Sequence, residues 1–92
     1  MAYSKKLIAA IHDATPTLGN SLGRLAAALD FSVPRIVKAT GATRQTIYNW
    51  FIGGKVAPYY KARVETLIGI LSNSKTADNA WRDVCTHFNI RA

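Results

Sequence analysis

Ninety-two residues make one domain with a thin core rather than two domains. An apolar content of 49% argues against a wholly disordered chain, and the single cysteine, Cys85, excludes an internal disulfide, as suits a reducing cytosol. Twelve Lys and Arg against five Asp and Glu give a formal charge of +7 and a pI near 10.0, which points to an anionic partner, a nucleic acid or an acidic membrane surface; a basic but inert surface would have the same totals.

The elements follow in chain order. Residues 1–16 form an N-terminal extension with a short helix from about Ser4 to Asp13, in which Tyr3, Leu7, Ile8 and Ile11 share one side. Lys5-Lys6 before this apolar patch has a faint likeness to a signal peptide, but His12 and Asp13 cut the apolar stretch short, so it reads as mature structure. No apolar run approaches the roughly 20 residues that span a bilayer. Pro16 breaks the first helix, and a second runs from about Thr17 to Leu29 with a stripe of Leu18, Leu22, Leu25 and Leu29. Gly19 and Gly23 on its neighbouring turns either admit another helix or a DNA backbone, or are simply tolerated.

Asp30-Phe31-Ser32 is a connector, with Ser32 as N-cap and Pro34 in the first turn of a third helix, about Val33 to Thr40, that turns Ile36 and Val37 inward. Gly41 ends it, and Thr43 caps a fourth helix, about Arg44 to Ile52, with Ile47 and Trp50 facing the core. Gly53-Gly54 stops that helix. Pro58 opens a fifth, to about Leu71, with a buried stripe of Tyr60, Val64, Leu67 and Leu71. The last helix, within residues 75–89, is capped by Thr76 and carries Ala77, Ala80, Trp81, Val84 and Phe88 on one face, which either packs on the domain or forms a dimer interface. No segment alternates as a strand does. The expected fold is therefore all-α, a compact bundle of five to six short helices with a core at 17–72.

Val33 to Phe51 has the layout of a helix-turn-helix: two short helices, a glycine turn, apolar residues on one side and Thr43, Arg44, Gln45 and Asn49 on the other. With Val37 in the first helix, Gly41 at its end, Ile47 six positions later, Trp50 at the next core position, and then Gly53, Pro58 and the aromatic Tyr60, residues 18–71 resemble the phage repressor/Cro-type (XRE-like) helix-turn-helix domains. The sequence departs from that pattern at Val37, where an alanine is usual, at Phe51, where many members carry a glutamate, and at Val33-Pro34, which replace a glutamine.

The resemblance implies a lambda-repressor-like fold with the motif at 33–52 and its second helix in the DNA major groove. Arg44, Gln45 and Asn49 are then the base readers. Arginine can grip guanine O6 and N7 with two hydrogen bonds, and glutamine or asparagine can pair with adenine N6 and N7. Asn49, one turn after Gln45, reaches an adjacent base pair. Thr43, Thr46 and Tyr48 flank these readers as candidates for phosphate or methyl contacts. Arg35 and Lys38 lie on the helix that crosses the backbone, Lys55 and the amides of Gly53 and Gly54 are placed for a phosphate beyond the recognition helix, and Lys61 and Arg63 are weaker candidates of the same kind. Charge distribution points the same way: between Asp30 and Glu65 there is no acidic residue, while Arg35, Lys38, Arg44, Lys55, Lys61 and Arg63 all fall in that window.

The expectation is a sequence-specific double-stranded DNA-binding regulator, a small Cro-like repressor of phage or bacterial type. It would act in the cytoplasm as a homodimer on a pseudo-palindromic operator, with half-sites about 34 Å apart. No enzyme, cofactor, metal or small-molecule substrate is expected: Cys85 and His87 lack a second ligand pair, no phosphate-binding glycine loop is present and no catalytic constellation is found. Two other readings compete: a helix-turn-helix scaffold that binds a host regulator or polymerase subunit instead of DNA, and a nucleoid or RNA binder without sequence preference.

Overall fold

A computed structural model describes residues 2–91. The chain is an all-α bundle of α1 (Lys5–Asp13), α2 (Leu18–Leu29), α3 (Val33–Thr40), α4 (Arg44–Phe51), α5 (Pro58–Ser72) and α6 (Ala77–Phe88), with no strand among the described residues. Four helices begin at a hydroxyl: Ser4, Thr17, Thr43 and Thr76 accept hydrogen bonds from the amides of Leu7, Asn20, Thr46 and Asn79 at 3.1–3.2 Å. Each bond satisfies one of the donors that a helix start leaves free. Ser32 is the N-cap of α3 but makes no such side-chain bond; Pro34, the second residue of that helix, has a fixed φ that suits a first turn.

The helix ends are equally local. Gly41 takes φ 78° after α3, and Gly53 takes φ 98° after α4. At the end of α2 the left-handed residue is Asp30, φ 59°, and the turn lets the Phe31 amide bond to Ala26 O at 2.8 Å. Phe31, which reads as part of a short connector, is thereby carried into the core and fully buried.

α2 is the central element and packs on α1, α4 and α5, while α3 and α5 support α6. Its glycines serve helix packing. A Cβ added at Gly19 would stand 2.5 Å from Trp50 Cβ and 2.9 Å from Trp50 Cα, and one at Gly23 would stand 2.8 Å from the Phe51 ring. Without those atoms α4 lies almost directly on the backbone of α2. Trp50 and Phe51 are buried in that contact, so Trp50 is a core residue and offers no face for a stacked base. Complete burial of side chains of this size contributes about 1.5–3 kcal/mol each.

Tyr3 precedes α1 instead of lying on its face. Its hydroxyl donates to Phe31 O at 2.6 Å and its ring lies 6.2 Å from that of Phe51. Burial, with smaller contributions from Tyr48 and Asp30, pushes the Tyr3 hydroxyl well above its ordinary pKa. On the opposite side, Trp81 of α6 sits 6.2 Å from Phe31, and Ala80 and Val84 are fully buried. The apolar face of α6 thus packs on the body of the protein. No described helix is long and apolar enough to cross a membrane.

Candidate nucleic-acid interface

α4 has two unlike edges. Ile47, Trp50 and Phe51 are buried, whereas Thr43, Arg44, Gln45 and Asn49 are exposed. Eight residues with three core anchors leave α4 little freedom to rotate, so its polar edge faces outward by elimination. Among the described residues Arg44 has no hydrogen bond or ion pair. Gln45 Nε2 donates to Asn49 Oδ1 at 3.3 Å, which pairs the two amides one turn apart. Thr43 Oγ1 accepts from the Thr46 amide and also donates to Thr46 Oγ1 at 2.9 Å, so the Thr46 hydroxyl keeps its own proton for an outside acceptor.

Beyond α4 a groove of about 530 Å³ is lined by Thr46, Asn49, Ile52 and Lys55. It adjoins a second, of about 380 Å³, where Lys55 and Lys61 stand with Thr17, Leu18 and Pro58 at the starts of α2 and α5. The fold therefore brings Lys55 and Lys61 to one site. Lys38 is exposed on α3.

Other expected contacts are placed differently. The Gly53 and Gly54 amides donate to Trp50 O at 3.1 Å and Asn49 O at 2.7 Å. They close the end of α4, whose last carbonyls have no intrahelical donor, so neither is free for a phosphate. Arg35 is also engaged. Its guanidinium donates to Ala77 O at 3.4 Å and to Asp78 at 3.3 Å, and it lies 5.3 Å from the Trp81 ring centroid and 5.9 Å from that of Phe31. Arg35 binds α6 to α3, because a flat cation between two aromatic rings is better placed there than in water. Arg63 donates to Thr40 O at 3.2 Å and braces the α3–α4 turn. Tyr48 is half-buried against the core near Tyr3.

The back of α4 is held by Asn20 of α2, buried to 1% exposure, which the sequence reading did not single out. The signal available was an Asn and an Arg four residues apart, Asn20 and Arg24, interleaved with Gly19 and Gly23 on one helix. No described cluster of three or more His, Cys, Asp or Glu side chains could hold a metal ion. Comparison of the chain with models of protein families, with curated proteins and with solved structures gives no match.

Proposed function

We propose that the chain is a sequence-specific double-stranded DNA-binding protein and that α3, the Gly41 turn and α4 act as a helix-turn-helix with α4 in the major groove. One observation carries this reading: Arg44, Gln45 and Asn49 stand exposed on a helix whose opposite edge is locked into the core. Arg44 offers a bidentate donor for guanine. The Gln45–Asn49 pair offers donors and acceptors for adenine in a neighbouring pair. Lys55, Lys61 and Lys38 would take the phosphates, which leaves Arg35 and the amides of Gly53 and Gly54 outside the contact set. The acid-free stretch of sequence that contains α3 and α4 favours an anionic partner over a neutral or basic one.

The biological role proposed with it is that of a small transcriptional regulator, repressing as a homodimer on a pseudo-palindromic operator. Selection of bound duplexes from random DNA tests the whole reading. A two-fold symmetric motif with half-sites about one helical turn apart is expected. Retention of duplexes without an enriched motif would point to a general nucleic-acid binder, and no retention at low salt to a protein-binding module.

A further inference from the structure

We propose that Asn20, oriented by Arg24, is a positioning residue that sets the angle of α4 for reading DNA, and that it draws the N-terminal helix α1 into that task. The inference rests on the reading of α4 given above. Asn20 donates from Nδ2 to Ile11 O at 2.8 Å and to Phe51 O at 2.7 Å, and its Oδ1 accepts from Arg24 Nε at 2.8 Å. Arg24 continues to His12 O at 3.0 Å. Ile11 and His12 lie in the last turn of α1, and Phe51 is the last residue of α4. Carbonyls at such ends have no amide of their own helix to accept from. One side chain in α2 therefore closes the ends of two other helices.

Only a primary amide fits this position. It supplies two donors and one acceptor, whereas aspartate would set a carboxylate against two carbonyl oxygens, and leucine would leave Phe51 O unpaired in the core and Ile11 O with only the 3.3 Å bond from the Ala14 amide. Arg24 fixes which way the amide faces: a guanidinium can only donate, so Oδ1 must meet it and Nδ2 must meet the carbonyls. Gly19, beside Asn20, admits the α4 backbone at Trp50, and Gly23 admits the Phe51 side chain. α4 has eight residues, and Asn49 is two before Phe51. A shift at the anchored carbonyl therefore passes directly to the reading edge, where base contacts tolerate about 0.5 Å of error.

The test uses the full chain as Asn20→Ala and Arg24→Met, with Val84→Ala as a destabilised control altered in α6, which packs on α3 and α5. Each is measured where circular dichroism shows it folded, on a selected duplex and on random DNA. The ratio of the two affinities is expected to fall about tenfold for Asn20→Ala, the scale of one lost base contact, and less for Arg24→Met, with an unchanged salt slope. Val84→Ala should keep the ratio. Hydrogen exchange of the amides from Ile47 to Phe51 should quicken in Asn20→Ala relative to those of α5.

An unchanged ratio in the folded variants, or an equal fall in Val84→Ala, overturns the proposal. If Asn20→Ala does not fold, Arg24→Met decides. A wild-type chain without sequence preference would instead overturn the DNA reading. The anchoring of α4 is then judged by exchange alone, and uniform exchange across α4 and α5 refutes it.

Discussion

Arg44 and Arg35 lie nine positions apart in one acid-free window, yet the fold uses them in opposite ways. Arg35 is engaged by Phe31, Trp81, Ala77 O and Asp78, and Arg24 and Arg63 likewise donate to backbone carbonyls, at His12 and Thr40. Arg44 has no partner among the described residues and stands on the exposed edge of α4. The difference shows that charge counted along a sequence overstates the charge available to a ligand. Arginines that hold helices together contribute field at a distance, but part of each guanidinium is committed to the fold. Those available to a phosphate or a base are the ones the packing leaves alone.

The largest expected effect breaks the platform on which both sets depend. Gly19→Ala places a methyl against the Trp50 backbone and should destabilise the fold by about 3 kcal/mol in urea unfolding, since neither helix can yield there without disturbing the core. Arg35→Ala and Lys55→Ala then sharpen the contrast between engaged and available cations. Arg35→Ala should cost about 1 kcal/mol of stability through lost stacking and leave the salt dependence of DNA binding unchanged. Its ion pair adds little to that figure because Asp78 is 87% exposed. Lys55→Ala should leave stability unaltered, weaken selected and random DNA alike, and lower the salt slope by about one.

Tyr3→Phe probes the buried side of α4. It removes the hydrogen bond to Phe31 O and should cost about 1 kcal/mol at neutral pH. The pH dependence has a definite sign. The folded protein holds the Tyr3 proton above its ordinary pKa of 10.0, so that contribution is intact below pH 10 and is lost as the unfolded chain alone ionises above it. Thermal melts should show the gap between wild type and Tyr3→Phe narrowing above that pH. The smallest effect is a gain: Gly69 on α5 has open space where a Cβ would go, and Gly69→Ala should stabilise by about 0.5–1 kcal/mol.

Much of this architecture was legible in the sequence because it is encoded locally. Hydroxyl caps, prolines and glycines marked the helix limits to within a residue or two, and the apolar spacings marked the inward sides. In α2, however, only Leu22 of the leucine stripe is buried, and Leu18, Leu25 and Leu29 are half-buried beside Gly19, Asn20, Gly23 and Ala26. What was not legible depends on tertiary contact. Phe31 reads as a connector residue until Asp30 turns it inward, and Phe51, read only as a departure from the family pattern, is buried because Gly23 makes room for its ring. Asn20 looks like an ordinary helix polar residue until three helices meet at it. At the interface, the exposed edge of α4 follows from periodicity alone. The diversion of Arg35 into α6 does not, because Ala77 O, Asp78 and the Trp81 ring are brought near only by the fold; the closure of Gly53 and Gly54 onto Trp50 O and Asn49 O is instead a local helix-end turn.

On the proposed reading, the exposed edge of α4 contacts bases through Arg44, Gln45 and Asn49. The most direct measurement compares Arg44→Ala with wild type on a selected duplex and on random DNA at one salt concentration. A loss of about 1–3 kcal/mol confined to the selected duplex is expected. An equal loss on both, or none on either, would contradict it.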